Sequence, residues 1–190
     1  GPRSQTLLGA TTDDAAGEAF DKVASILGLG YPGGPSIDKA SARGSPKAVH
    51  FSRPWLGRES FDFSFSGVKT AVLYHVRGHG AGAKARPTDL TEQETADVAA
   101  SFQECVVDVL VGKTLRAAEV RGLDRIIVGG GVAANRRLRA RFEQEAAAAG
   151  LDLILPPTRY CTDNAAMVAG LAYHCVRAGE VAALDLEARA

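Results

Sequence analysis

The segment from residue 123 to residue 155 most constrains the fold, because it reads as a strand, a glycine loop, a helix and a second strand. Residues 123–128 are rich in β-branched side chains, and Gly129, Gly130 and Gly131 follow as a tight loop. Residues 135–149 have helical periodicity, and the apolar stretch 151–155 ends at two prolines. Two strands joined by a helix lie parallel, with a right-handed crossover. The segment therefore predicts an α/β fold.

Helical signals surround this unit. Apolar spacing predicts a helix over residues 12–27, with Thr12 or Asp13 as its cap, and a shorter helix over 36–43. The capping-box pattern Thr91-Glu92-Gln93-Glu94 predicts a long helix to about residue 121. A last helix is predicted from about residue 163 to 178. Residues 50–55 and 61–65 predict short extended segments, and 78–87 predict a loop.

Composition excludes several classes of protein. The chain has 190 residues, of which 46% are apolar, so global disorder is excluded. Its 22 acidic and 22 basic residues exclude a generally basic nucleic-acid-binding surface. Charges and glycines interrupt the apolar runs, so we expect no membrane span and no signal peptide. The 3 cysteines are widely spaced, which favours free thiols in a reducing cytoplasm.

Both ends of the chain are expected to lie outside the folded domain. Gly1 and Pro2 resemble the remnant of a cleaved tag, and residues 179–190 are predicted to be a frayed tail.

The glycine loop is the first candidate site. Backbone N–H groups of Gly129, Gly130 and Gly131, together with the following helix N-terminus, suit a phosphate or nucleotide. These glycines alternatively serve only tight packing of the strand against the helix. Asn135 offers an amide to a ribose or a base, or acts as a simple helix cap.

Carboxylates form further candidates. Asp14, Glu18 and Asp21 share one face of the first predicted helix, either as a solvated acidic stripe or with Asp21 accepting hydrogen bonds from ribose hydroxyls. Asp163 precedes the last helix, as its N-cap or as a metal ligand. His75 and His79 have the spacing of a helical metal pair, but the glycines around them argue against it.

Two polar clusters are open to similar alternatives. Residues 62–70 combine serines, a glycine, a lysine and a threonine, which could form an anion-binding turn. Arginines are concentrated on the helix that follows the glycine loop, either as solvated surface residues or as contacts to RNA phosphates. These arginines are Arg136, Arg137, Arg139 and Arg141.

Five motifs occur in an order and spacing typical of one family. They are DDAAGEAFDK at 13–22, YPGGP at 31–35, FSFSGVKT at 63–70, GGGVAAN at 129–135 and CTDN at 161–164. Together they resemble the bacterial TsaD type of tRNA N6-adenosine threonylcarbamoyltransferase, from about residue 7 to residue 179.

The resemblance implies an actin/Hsp70/sugar-kinase-like (RNase H-like) fold with its active site between two lobes. Residues 3–178 would be the C-terminal part of that fold, truncated at its N-terminal strands. In this family, threonylcarbamoyl-adenylate donates its acyl group to N6 of adenosine 37 in tRNAs reading ANN codons. The family further implies tRNA and TsaB-like and TsaE-like proteins as partners, and a cytoplasmic location without a membrane.

The resemblance also implies roles for particular residues. Asp21, Gly34, Asp38 and Asn135 would contact the adenylate, and the loop 129–131 would cradle its nucleotide. Asp163 would bind one divalent metal ion, iron or zinc. No residue is identified as a general base.

The main departure from the family is length. The HxxxH metal pair and the Ser-Gly-Gly-His loop, which lie in the first half of family members, are absent from this sequence. We therefore expect an incomplete metal site, no activity from this chain alone, and self-association through exposed strand edges. Two alternatives are a noncatalytic TsaB-like partner subunit of the same fold and another carbamoyl- or phosphoryl-transferring enzyme of the superfamily.

Overall fold

The computed structural model describes residues 5–57, 59–78 and 90–183. The predicted tag remnant, most of the predicted loop over 78–87, His79 and the end of the predicted tail lie outside these residues. The described residues form six α-helices and two strands. The helices are α1 (Ala16–Ile26), α2 (Gly33–Ser41), α3 (Ser66–Arg77), α4 (Glu92–Arg121), α5 (Arg136–Ala148) and α6 (Ala165–Arg177), and the strands are β1 (Arg125–Ile127) and β2 (Asp152–Ile154).

The strand–loop–helix–strand unit is confirmed. Strands β1 and β2 pair in parallel, with Ile126 opposite Leu153, and α5 connects them. Each strand has 3 residues and is shorter than predicted. The predicted α/β class is therefore correct, and the described residues contain far more helix than strand.

The long helix α4 is the central element, and its predicted capping box is confirmed. Thr91 Oγ1 accepts a hydrogen bond from the N–H of Glu94, and the Glu94 carboxylate accepts one from the N–H of Thr91 at 2.8 Å. One side of α4 packs on α1, where Phe102 meets Phe20 edge to face with 5.2 Å between ring centroids. The other side packs on α5 through a second apolar cluster around Val107 and Phe142. Both halves of the core thus rest on α4.

Helix α1 begins at Ala16, four residues later than predicted, because the preceding residues bond elsewhere. The N–H of Thr12 donates to the carbonyl of Phe63 at 2.8 Å, and the N–H of Phe63 donates to the carbonyl of Ala10 at 2.9 Å. Asp13 binds the start of α3. The prediction of Thr12 or Asp13 as the cap of the first helix was wrong, since the N-cap residue is Ala15.

Helix α2 spans Gly33–Ser41 and not 36–43. The N–H of Gly33 donates to the Asp21 carboxylate at 2.7 Å, which satisfies an otherwise orphaned donor at the helix start. A Cβ at Gly33 would lie 2.4 Å from Cα of Asp21, so only glycine allows this approach of α2 to α1.

Helix α3 was not predicted. Residues 66–77 are helical, and the short extended segments predicted over 50–55 and 61–65 form no sheet strand among the described residues apart from an isolated bridge between Thr11 and Phe63. Phe63 and Phe65 contact the core from this irregular segment, and Phe65 is buried.

Helix α6 starts at Ala165 with Asn164 as its N-cap, so the prediction of Asp163 as the cap was wrong. None of its residues 165–177, all of them described, is buried, although large apolar side chains occur around the helix. A helix that is apolar on all sides normally lies inside a protein. Within the described ranges, no helix has both the length and the apolar character to cross a bilayer.

We expect this chain to self-associate through α6. Val168 is 71% and Leu171 57% exposed, and contact between two copies would remove these side chains from water. Leu171→Lys should therefore shift the chain toward monomer in analytical ultracentrifugation.

Leu7→Lys is the matched control, because Leu7 is also exposed but lies outside α6. A concentration-independent monomer for the unmodified chain would contradict the prediction, as would equal effects of the two substitutions.

Candidate functional site

A cleft of about 480 Å³ opens between α1, α2 and the turn that leads into α5. It collects several residues that the sequence predicted as ligand contacts, although more than a hundred positions separate the first from the last. The lining residues are Gly17, Phe20, Asp21, Pro32, Gly34, Pro35, Asp38, Gly131, Val132, Ala134, Asn135 and Thr162. The cleft thus combines a largely apolar lining with a few polar groups, as small-molecule sites commonly do.

Asp21 and Asp38 are the two carboxylates in the lining of the cleft. One oxygen of Asp21 accepts the N–H of Gly33 at 2.7 Å, and one oxygen of Asp38 accepts Nε of Arg136 at 2.6 Å. The second oxygen of each has no protein hydrogen-bond donor among the described residues. Each carboxylate is therefore fixed by the protein and keeps one acceptor for a ligand.

Asn135 lines the cleft, is buried and caps α5. Its Oδ1 accepts the N–H of Leu138 at 2.9 Å, and its Nδ2 donates to Oε1 of Gln103 at 2.7 Å. The Nε2 of Gln103 in turn donates to Oγ of Ser41 in α2 at 2.9 Å. The cap interpretation of Asn135 is thus correct, and its contact with a ribose or a base stays a prediction.

The glycine loop faces open space. A Cβ at Gly129, Gly130 or Gly131 would meet no heavy atom within 4 Å, so the alternative of tight strand–helix packing was wrong for these positions. Gly130 has φ of 88°, a conformation that favours glycine. Gly131 lines the cleft, whereas Gly129 and Gly130 are not in its lining.

The predicted metal ligand Asp163 is exposed beside the cleft, next to the lining residue Thr162. In the described part of the chain, no three His, Cys, Asp or Glu side chains are grouped so that they could hold a metal ion. One exposed carboxylate does not match the several ligands of an iron or zinc site. The described residues therefore do not fit a complete metal centre.

The predicted anion-binding turn over residues 62–70 exists, but the group that it binds is a carboxylate of the same chain. The carboxylate of Asp13 accepts hydrogen bonds from the Ser64 hydroxyl and from the N–H groups of Phe65 and Ser66. Burial acts to raise the pKa of Asp13, but these hydrogen bonds outweigh it and lower the pKa. The donors at the start of α3 are therefore already occupied.

Two carboxylates of the predicted acidic stripe, Asp14 before α1 and Glu18 within it, pair with lysines. Asp14 lies 2.7 Å from Nζ of Lys22 and 3.1 Å from Nζ of Lys69, and Glu18 also pairs with Lys22. The hydrogen bond from Lys22 is the main cause that lowers the pKa of Asp14. Lys69, the lysine of the predicted anion-binding turn over residues 62–70, is thus engaged with a carboxylate.

The arginines of α5 bind protein groups. Arg137 forms a two-point contact with Glu104 at 2.6 Å, and Arg141 adds a third hydrogen bond to that carboxylate at 3.1 Å. Arg139 donates to the carbonyls of Ala133 and Pro156. These contacts anchor α5 to α4 and to the end of β2. Arg137, Arg139 and Arg141 are thus engaged within the protein, whereas the side chain of Arg136 is 70% exposed. Contact of this helix with RNA stays a prediction.

The cysteines match the predicted free thiols. Cys105, Cys161 and Cys175 form no disulfide, and burial raises the pKa of the Cys105 thiol to about 11. At neutral pH, Cys105 is therefore an unreactive core residue.

Sequence reasoning missed Gln103 and Glu104 as residues that support the cleft. Both lie within the central helix α4, and Gln103 is 5% exposed. A polar side chain at a core position of a helix needs a partner, and that signal could have marked Gln103.

The fold and cleft define a helix-rich α/β protein with a ligand-sized site between helices. The family model described as TsaD, tRNA N6-adenosine threonylcarbamoyltransferase, matches residues 3–170. The chain therefore belongs to the TsaD family.

Curated relatives of that name support this membership. The protein of Desulfotalea psychrophila is 51% identical over 172 residues, which cover 88% of this chain and 48% of the relative. That of Syntrophobacter fumaroxidans is 54% identical over 171 residues, covering 88% and 49%. That of Geobacter sulfurreducens is 51% identical over 185 residues, covering 97% and 52%. The chain thus spans about half the length of the curated relatives it matches.

Gln103→Leu should destabilise the chain by roughly 2–4 kcal/mol, because the buried groups of Asn135 and Ser41 would each lose a partner. Denaturant unfolding measures this loss. Gln93→Leu makes the same change at an exposed position of α4 and should cost much less. Equal losses for the two variants would contradict the structural role of Gln103.

The ion pairs of Glu104 should make stability depend on acid pH. The hydrogen bond from Arg137 is the main cause that lowers the pKa of Glu104 in the folded chain. Its stabilisation is therefore present above the unfolded pKa, about 4.3, and is lost as pH falls through the lower folded value. Glu104→Gln should lower the free energy of unfolding at pH 7 and flatten its decline below about pH 4.5.

Glu143→Gln, at an exposed position of the neighbouring helix α5, is the control for that measurement. An acid profile of Glu104→Gln that parallels the unmodified chain would show that the pair contributes nothing to the pH dependence.

Proposed function

We propose that this chain provides the adenylate-binding half of a tRNA N6-adenosine threonylcarbamoyltransferase. The donor is threonylcarbamoyl-adenylate, and the acceptor is N6 of adenosine 37 in tRNAs that read ANN codons. The observation that carries the proposal is that Asp21, Gly34, Asp38 and Asn135 line a single cleft. These are the four positions for which the family resemblance implies contact with the adenylate.

The chemistry of the lining suits an adenylate. The unpaired oxygens of Asp21 and Asp38 are acceptors for ribose hydroxyls. Phe20, Val132 and the neighbouring prolines offer apolar surface to a base. Gly131 and the N-terminus of α5 offer backbone N–H groups and partial positive charge to a phosphate.

In the proposed transfer, N6 of the adenosine attacks the carbamoyl carbon. The new N–C bond forms, the bond from that carbon to the phosphate oxygen breaks, AMP leaves with the electron pair, and N6 loses a proton. The cleft contributes by holding the leaving AMP in position. No residue of this chain is assigned as the base, and no step is assigned to a metal, because the described donor set is incomplete.

The partners in this proposal are tRNA and the TsaB-like and TsaE-like proteins implied by the family. The proposed compartment is the cytoplasm, where tRNA is modified. The chain alone is proposed to be inactive, because it matches about half of each relative. The rival proposal of a noncatalytic TsaB-like subunit requires no nucleotide in the cleft.

Calorimetric titration with AMP tests the cleft. We expect this chain to bind AMP, and Asp21→Asn should weaken the affinity roughly tenfold, because the substitution removes the charge from an acceptor of the ribose hydroxyls.

Asp97→Asn is a matched control, since the Asp97 carboxylate also accepts a backbone N–H at 2.7 Å, from Ser45, but lies outside the cleft lining. If the unmodified chain bound no AMP, the proposed function would fail and the noncatalytic alternative would be favoured.

A chimera tests the transfer itself. In the Geobacter sulfurreducens relative, this chain would replace the matched half, and the product would be incubated with threonylcarbamoyl-adenylate and tRNA. Mass spectrometry should find the modified nucleoside with the chimera and not with this chain alone. A folded chimera that binds AMP but makes no product would reject the transferase role of this chain.

A further inference from the structure

Arg136 bridges two walls of the cleft. It is the first residue of α5 and follows the cap residue Asn135, so its backbone position is fixed. Its Nε donates to one carboxylate oxygen of Asp38 at 2.6 Å, and its Nη2 donates to the main-chain carbonyl of Asp38 at 3.3 Å. Two contacts from one guanidinium hold both the side chain and the backbone of Asp38, across a sequence separation of 98 residues.

The exposures of the two partners differ sharply. The side chain of Asp38 is 16% exposed, whereas that of Arg136 is 70% exposed. An exposed arginine spends conformational entropy when it holds one geometry, and an exposed ion pair by itself stabilises a fold little. The contact therefore matters more for the orientation of the half-buried carboxylate than for the stability of the fold.

Asp21 provides an independent parallel. Its carboxylate is held through one oxygen, by the N–H of Gly33, and its other oxygen has no donor among the described residues. Asp38 repeats this arrangement with Arg136 as the donor. Two carboxylates of one cleft, each fixed at one oxygen, form a pair of preoriented acceptors for a ligand with hydroxyl groups.

We propose that Arg136 is a positioning residue that directs the unpaired oxygen of Asp38 toward a ribose hydroxyl of the ligand. This inference rests on the proposed nucleotide site and adds the recognition of the sugar to it. Arg136 acts through Asp38 and need not touch the ligand. Without Arg136, Asp38 is free to rotate, and the cleft loses selectivity for a ribose that carries its hydroxyls.

The test compares adenosine with 2′,3′-dideoxyadenosine, two uncharged probes that differ only in the sugar hydroxyls. Calorimetric titration should show that the unmodified chain prefers adenosine by roughly tenfold or more. Arg136→Gln should reduce this preference to about two- to threefold and change the affinity for the dideoxy compound little. Asp38→Asn should reduce the preference similarly, and the double variant should lose no more than either single one.

Arg125→Gln is the matched control. Arg125 also donates Nε to an aspartate, Asp152, at 2.6 Å, but this exposed pair lies on the sheet and outside the cleft lining. The control should keep the full preference for adenosine. Because neither probe carries a phosphate, attraction of a phosphate by Arg136 cannot produce the expected result.

The outcomes separate this inference from the proposed function. If the unmodified chain binds neither nucleoside and no AMP, the nucleotide site fails and the inference fails with it. If adenosine binds but Arg136→Gln keeps the preference, or weakens both nucleosides equally, only the positioning role is overturned. A loss confined to adenosine, shared with Asp38→Asn, supports it.

Discussion

The cleft depends on a buried chain of hydrogen bonds that crosses α4. Ser41 in α2, Gln103 in α4 and Asn135 at the start of α5 are joined by donor–acceptor distances of 2.9 and 2.7 Å, and all three are buried. A buried amide that lost its partners would pay a desolvation cost. These hydrogen bonds therefore favour the one arrangement of the three helices in which all of them form. The two walls of the cleft, α2 and the turn before α5, are consequently fixed to the same point of α4.

Much of the secondary structure was predictable, because it follows from local rules. The capping box at Thr91 was identified because its signal lies within four residues, and the parallel strand pair because the whole strand–loop–helix–strand pattern is continuous in the sequence. The starts of α1 and α2 were not, because tertiary bonds decide them. Asp13 caps α3 from 52 positions away, and Asp21 binds Gly33 from 12 positions away. No local pattern contains such partners.

The candidate site likewise combines features that the sequence predicted with features that depend on tertiary contacts. The motifs marked Asp21, Gly34, Asp38 and Asn135, and the structure brings these residues to one cleft. The sequence did not reveal what holds them. Arginines in a helix read as surface residues, but Arg137 and Arg141 share the carboxylate of Glu104 on the neighbouring helix. Charged residues that pair across elements look the same in sequence as charged residues that face water, because only the fold supplies their partners.

The helices that form the cleft are well packed, whereas the last helix is exposed. The cleft-forming helices α1, α2 and α5 pack on α4 around apolar side chains and buried polar bonds. In contrast, α6 follows Thr162 at the cleft rim and has no buried residue. Its neighbour Asp163 is therefore positioned by the least supported part of the described fold. The residues for the nucleotide-binding role and for the metal-binding role that the family implies thus differ in how firmly the fold holds them. The residues for the first are already held in place, whereas the single carboxylate for the second lies beside a helix whose apolar surface is still exposed.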